Sequence, residues 1–209
     1  MAHFAGRMFV AASLACGSCA RTLLITSADS SEGLVLTSAA LAAHSSVEIL
    51  AGVDDVRSAN AEQLLNKGAQ LRSLNSSKKL PLSAFTGVDA VFVLPPLTDD
   101  RVVRTARLVD AAVDAGVPQG LLLSVMGADS GLTSLNGYRE CEEKVQKAWP
   151  QSHVILRTAF YVQNLLLWAP SVASSHTLRL PSHGRTPWLF ESDVASVVLG
   201  MLGDEHLTL

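Results

Sequence analysis

The run Val88-Asp89-Ala90-Val91-Phe92-Val93-Leu94 is apolar on both sides of its two-residue repeat once past Asp89, and Pro95-Pro96 stops it. A strand apolar on both faces needs cover on both faces, which is the situation of a parallel sheet sandwiched between helices. Proline ends such a strand because it has no N–H to give the ladder. Thr22-Leu23-Leu24-Ile25-Thr26 has the same character, so these two runs are expected to lie at the centre of one sheet of at least five strands.

Amphipathic stretches separate the apolar runs along the chain. The sequence predicts helices over 33–44, 58–67, 99–115, 138–149 and 193–202, and further strands over 47–52, 70–74, 120–125 and 153–157. The 99–115 helix is the clearest. Val102, Val103, Ala106, Val109, Ala112 and Val113 recur at three- and four-residue spacing, Arg101, Arg104, Arg107, Asp110 and Asp114 fall mainly off that stripe, and Gly116 ends it. Strands alternating with helices imply right-handed crossovers and a doubly wound α/β fold, a parallel Rossmann-like sheet with helices on both faces. Ligands in such sheets bind beyond the strand C-termini at the switch point. The residues that follow Thr26, Gly52, Leu94, Ser124 and Arg157 are therefore the ones to inspect.

The chain has 209 residues, 48% hydrophobic and 17% charged, with a net charge of -3. That suits one globular domain and gives no basic footprint for nucleic acid or anionic membrane. Cys16, Cys19 and Cys141 form no disulfide framework. The Cys16–Cys19 spacing is that of a redox pair or half a zinc site, but no histidine cluster completes a metal centre, and no metal is expected. Residues 1–20 read as a leader or loosely packed segment outside the fold, with Arg7 before a small, apolar stretch from Met8 to Ala20. The domain is assigned to 21–209 and expected in the cytoplasm, with 1–20 as a candidate targeting segment. No apolar run is long enough for a membrane span.

Several blocks resemble the NmrA-like branch of atypical short-chain dehydrogenases. Gly87 to Pro96 is similar to the family's fourth strand, Leu108-Val109-Asp110-Ala111-Ala112 with Ala115-Gly116-Val117 to the following helix and its exit, and Leu122 to Asp129 to the fifth strand and its loop. Ile155-Leu156-Arg157-Thr158-Ala159-Phe160-Tyr161-Val162-Gln163-Asn164-Leu165-Leu166 is the most specific block, with Thr158 where the family usually has proline. Gly184-Arg185-Thr186-Pro187-Trp188 and Glu191-Ser192-Asp193-Val194-Ala195 follow in order. The resemblance implies an NAD(P)-binding Rossmann protein, an NAD(P)H-dependent oxidoreductase acting on a small molecule or quinone. The alternative is a non-catalytic redox-sensing or regulatory binding module. A dinucleotide is then the expected ligand, with a small-molecule substrate or a regulatory protein as partner.

Two departures from the family bear on that implication. Its glycine triplet falls here on Ser27, Ser30 and Gly33, which keeps the glycine for helix–strand packing and loses those for the turn and for pyrophosphate approach. Family members also continue further than this chain, and the substrate-covering region is expected to be largely missing.

By that register the cofactor-binding candidates are Ser27, Ala28, Asp29, Ser30, Ser31, Gly33, Asp54, Leu94, Pro95, Pro96, Ser124, Val125 and Met126, with Arg157 and Asn164 in the substrate cleft. Asp29 and Glu32 have capping-box spacing. They either cap their own helix and fill its anion site, or leave it to a weakly bound dinucleotide. Asp54 and Asp55 are either the acceptor of an NAD ribose hydroxyl or an exposed acidic turn. Arginine does not follow until Arg57, so NAD is favoured over NADP. The dehydrogenases' catalytic tyrosine and lysine, four residues apart, are not found: Tyr138 is followed by Glu142, and Arg139, Glu142 and Glu143 are expected to form a solvated helix face.

Overall fold

The computed structural model describes residues 21–43, 46–177 and 187–202. Six strands form a parallel sheet: β1 (Thr22–Ile25), β2 (Glu48–Val53), β3 (Gln70–Ser73), β4 (Ala90–Val93), β5 (Gln119–Val125) and β6 (His153–Thr158), in the order β3-β2-β1-β4-β5-β6. The two apolar runs of the sequence are its central pair, with Leu24 opposite Val91 and Ile25 opposite Phe92. Helices α1 (Ser31–Ala42), α2 (Ala59–Asn66), α3 (Arg101–Asp114) and α4 (Asn136–Ala148) link the strands. Beyond β6, β7 (Phe160–Tyr161) pairs in parallel with β8 (Trp188–Leu189) as a separate two-stranded sheet; α5 (Ala169–Ser175) lies between them and α6 (Glu191–Met201) follows.

Alternate residues of the central strands feed two cores. Leu24, Val91, Val93 and Leu122 pack with Leu108, Val109 and Ala112 of α3 and Cys141 and Val145 of α4. Leu23, Ile25, Ala90, Phe92, Leu121 and Leu123 pack on the other face with Leu36 and Ala40 of α1 and Val194, Val198 and Leu199 of α6. Each large side chain so buried contributes about 1.5–3 kcal/mol, which is why β1 and β4 tolerate no polar face.

The α3 stripe is one residue out of phase with the sequence expectation. Thr105, Leu108, Val109, Ala111 and Ala112 are buried, whereas Val103 and Val113 are exposed. Turning that face inward aims Arg104 and Arg107 across the strand ends, where Arg104 Nε donates to Ser76 Oγ at 2.9 Å and Arg107 Nη1 to the carbonyls of Ser76 and Ser77. Helix α1 starts two residues earlier than expected and α6 likewise. Residues 1–20 with Cys16 and Cys19, for which the sequence suggests a leader or loosely packed segment, and Gly184, Arg185 and Thr186 of the late motif lie outside the described residues. No helix among the described residues is long and apolar enough to cross a membrane, and no cluster there of three or more His, Cys, Asp or Glu suits a metal ion.

Candidate functional site

The ends of β1 and β4 are laced together by polar groups. Thr26 N donates to the Phe92 carbonyl at 3.0 Å, Leu94 N to Thr26 Oγ1 at 2.9 Å, and Ser27 Oγ to the Leu94 carbonyl at 3.1 Å. Ser27 holds φ 49, the left-handed region in which a side chain is strained and glycine is not. The hydroxyl bond to Leu94 fixes the turn at the serine. Gly33 is required by space: a Cβ there would lie 2.1 Å from the Ser27 carbonyl oxygen. The first turn of α1 thus packs directly on the end of β1.

The cap of α1 is Ser30, whose Oγ accepts from Gly33 N at 3.0 Å. Of the two alternatives for Asp29 and Glu32, the capping pair does not form. Asp29 turns the other way, its carboxylate accepting from Asp54 N and Asp55 N, each at 3.1 Å, while its own carbonyl accepts from Asn60 Nδ2 at 2.8 Å. Two backbone N–H donors at one place outcompete a single helix N–H for the carboxylate, so Asp29 ties the β1–α1 turn to the β2–α2 loop. The backbone N–H groups of Ser31 and Glu32 keep no partner among the described residues, leaving an anion-attracting helix start.

Two adjoining cavities run from this turn. One, of about 460 Å³, is lined by Ser27, Asp29, Ser30, Asp54, Asn60, Leu94, Pro96, Thr98 and Arg104. The other, of about 720 Å³, is lined by Leu123, Ser124, Val125, Met126, Tyr138, Thr158, Phe160, Tyr161, Asn164, Pro187 and Glu191. Ser31, Glu32, Pro95 and Leu97 line both, so they form one groove across the strand C-termini. At its first end Arg104 forms an ion pair with Asp54. At its second, Phe160 stacks on Trp168 with centroids 5.5 Å apart and meets Trp188 edge-on at 4.9 Å.

The second end collects acids without a cation on its wall among the described residues. Burial pushes the Glu32 carboxyl above the usual carboxylate range, a shift that the nearby Tyr161 hydroxyl partly offsets. Burial likewise raises Glu191, helped by the Glu32 charge. The Tyr161 phenol is driven far up by burial and then by Glu32. Its hydroxyl is buried and makes no well-formed hydrogen bond, although Glu32 and Thr158 lie within its reach. Arg101 sits over the Tyr138 ring, 4.1 Å from its centre, and burial nonetheless raises that phenol too.

A family model for the NmrA-like family matches residues 20–208. The chain belongs to the NmrA-like family. It is 32% identical over 152 residues to an NAD(P)H azoreductase of Xenophilus azovorans, a match covering 69% of this chain and 51% of that protein. The chain thus spans about half the length of that relative. An NADPH-dependent quinone oxidoreductase of Escherichia coli, solved with NADPH, superposes with a TM-score of 0.75 at 21% identity over 88% of this chain and 66% of that one. Citrobacter sp. triphenylmethane reductase, solved with NADP(H), gives a TM-score of 0.73 at 21% identity over 89% and 67% of the two chains.

Within this NmrA-like chain the groove gathers Ser27, Asp29, Ser30, Ser31, Asp54, Leu94, Pro95, Pro96, Ser124, Val125, Met126 and Asn164. Ala28 and Gly33 are buried behind its wall. Arg157 lines neither cavity. It grips Glu142 through Nε at 2.9 Å and Nη2 at 2.7 Å, and its Nη1 reaches Asp129 at 2.6 Å. Glu142 is therefore not part of a solvated face. It is buried and also accepts from Ser124 Oγ at 2.5 Å, while Arg139 and Glu143 do form the expected exposed pair. Ser124 thus presents the groove with a hydroxyl already committed. Arg104, Asn60, Tyr161 and Glu191 line the groove but were not among the site candidates read from the sequence. The proximity of Arg104 to Asp54 depends on the phase of α3, and that of Glu191 to Glu32 on α6 packing beside α1.

Proposed function

We propose that this protein binds a nicotinamide dinucleotide along the groove and uses it to reduce a small conjugated acceptor such as a quinone or azo compound. The observation that carries this reading is the continuous groove at the switch between β1 and β4, with the open start of α1 at its midpoint. Gly33 permits the close approach of backbone, and the Ser31 and Glu32 N–H groups remain for a pyrophosphate. The residues fit the group with one cost. Ser30 Oγ occupies the Gly33 N–H that an anion would otherwise use, so binding is expected to be weak.

In this reading the adenosine lies at Asp29, Asp54, Asn60 and Arg104, the nicotinamide at Leu94, Pro95 and Ser124–Met126, and the acceptor against Phe160, Tyr161 and Asn164. The dinucleotide supplies the hydride, and the protein supplies position and exclusion of water. No Tyr/Lys pair is needed for that, which agrees with Tyr138 lying under Arg101 and Ser124 being held by Glu142. The named activities of the azoreductase and the quinone oxidoreductase support the acceptor class. The Asp54 carboxylate argues for a cofactor without a 2′-phosphate, whereas its pairing with Arg104 and the NADPH and NADP(H) bound by the quinone oxidoreductase and the triphenylmethane reductase argue for NADPH.

Fluorescence titration with NADH and NADPH, followed by anaerobic reduction of a quinone and an azo dye, tests the reading. Saturable binding with acceptor-dependent oxidation is expected. Binding without turnover would leave a regulatory module, and no binding of either dinucleotide would overturn the proposal.

A further inference from the structure

Transfer of a hydride to a conjugated C=O, C=N or N=N acceptor leaves an electron pair on the far heteroatom, which must gain a proton for the product to be neutral. Water is a poor source in a cavity built to exclude it, so a positioned side chain is expected to deliver that proton. The inference rests on the reading of the larger cavity as the acceptor site.

Several groups on the wall are unfit for the task. Ser124 Oγ is spent on the buried Glu142, and Thr158 Oγ1 donates to the Ser124 carbonyl at 3.2 Å. Asn164 has no acidic proton. Tyr138 lines only the larger cavity, and burial raises its phenol, which makes it a poorer acid. What remains is Glu32 from α1, Tyr161 from β7 and Glu191 from α6, all lining the same cavity. Tyr161 is nine-tenths buried, with a hydroxyl that finds no well-formed partner. An orphaned buried hydroxyl among carboxyls marks a place built for one more polar atom. Of the carboxyls, only Glu32 lines both cavities, at the seam where hydride donor and acceptor meet.

We propose that Glu32 gives the proton that the acceptor takes up alongside the hydride, with Glu191 and Tyr161 holding that proton in the cavity until transfer. The Glu32 O–H bond breaks as a new O–H or N–H forms on the acceptor, and the hydride accounts for the remaining two electrons and hydrogen. The carboxylate left behind regains a proton from water through the groove mouth. The surroundings agree in sign. Desolvation disfavours the Glu32 anion more than the Tyr161 hydroxyl favours it, the Glu32 charge in turn raises Glu191, no Lys or Arg lines the cavity among the described residues, and the Tyr161 phenol stays protonated. Arg101 and Tyr138 are the other charged and titratable groups on this side, and Arg101 is engaged with the ring and with the Pro96 carbonyl.

Infrared spectroscopy of the unliganded protein, E32Q and E191Q, paired with rapid-mixing kinetics, tests this. Expected is a protonated-carboxyl band near neutral pH that E32Q loses and that E191Q retains. E32Q should bind NADH at least as well as the natural protein. Its acceptor reduction should fall about 10²-fold or more, with the pH dependence and the solvent deuterium isotope effect both lost. Absence of the band, or a band with an E32Q pH profile like the natural one, overturns the proposal. A band that persists in a protein binding no dinucleotide overturns the functional reading, and the donor role with it.

Discussion

Arg104 of α3 and Asp54 at the exit of β2 form an ion pair on the wall of the smaller cavity of the groove, with Arg104 steadied from behind by Ser76. The carboxylate that would meet a ribose and the guanidinium that would meet a phosphate therefore neutralise each other before any ligand arrives. Replacing Asp54 by Asn frees the guanidinium, whose planar fork suits phosphate oxygens. We expect Asp54→Asn to tighten NADPH by roughly tenfold or more while NADH changes little, since charge-assisted bonds contribute about 1.5–3 kcal/mol. Arg104→Gln should do the reverse, weakening NADPH most. Calorimetric titration of both cofactors checks this, and equal effects on the two would remove the pair from cofactor choice.

The serine turn gives a second expectation. Ser27 stores strain at φ 49 and offsets it with its bond to Leu94. Ser27→Ala keeps the strain and loses the bond, so it should cost about 1–2 kcal/mol. Ser27→Gly loses the bond and the strain together and should be nearly neutral, which inverts the usual order of alanine and glycine. Ser30→Gly should cost only a few tenths of a kcal/mol as a cap. It returns the Gly33 N–H to the groove and should strengthen dinucleotide binding. Urea denaturation and NADH titration measure the two effects separately, and unchanged affinity in Ser30→Gly would show that the hydroxyl does not compete with pyrophosphate.

The parallel sheet and its central pair were legible because a two-faced apolar run has one stable environment. The groove followed, since its place depends on topology more than on any one side chain. What stayed hidden depends on pairings distant in sequence. Glu142 reads as a solvated residue until Arg157 is folded against it, and Asp29 reads as a cap until the Asp54 and Asp55 amides arrive beside it. The α3 stripe misled because Val103 and Val113 look more buried than Thr105, yet Leu108 sets the phase. The cost of that error was Arg104, which lines the groove.

The Glu142 cluster should behave as structure and not as chemistry. Glu142→Gln removes the charge and the oxygen that accepts from Arg157 Nη2, while its remaining carbonyl oxygen still accepts from Ser124 Oγ and Arg157 Nε and Asp129 stays on Arg157 Nη1. Breaking a buried pair costs about 3–5 kcal/mol. Here Arg157 is 36% exposed and keeps a second carboxylate, so a loss of about 1–3 kcal/mol is expected, with dinucleotide affinity retained in the folded fraction. A stable variant that fails to bind would instead place Glu142 in the site.

The raised carboxyl of Glu32 fixes the sign of a pH effect on stability. Its folded value lies above the unfolded one of about 4.3, so the folded protein holds this proton more tightly than the unfolded chain does. The contribution of Glu32 is therefore fully present below that unfolded value and is lost as pH rises through the folded one. Asp129 acts oppositely, because the Arg157 hydrogen bond lowers it and its contribution is lost as pH falls through its folded value. The two overlap in a total stability curve, so the difference between the natural protein and Glu32→Gln is the quantity to follow. At pH 8 Glu32→Gln should melt a few degrees higher, since about 1 kcal/mol moves the melting temperature of a domain this size by about 2–4 °C. At pH 4 that advantage should vanish. Calorimetric melting across this range checks it, and a difference that does not change with pH would mean that Glu32 titrates alike in the folded and unfolded chains.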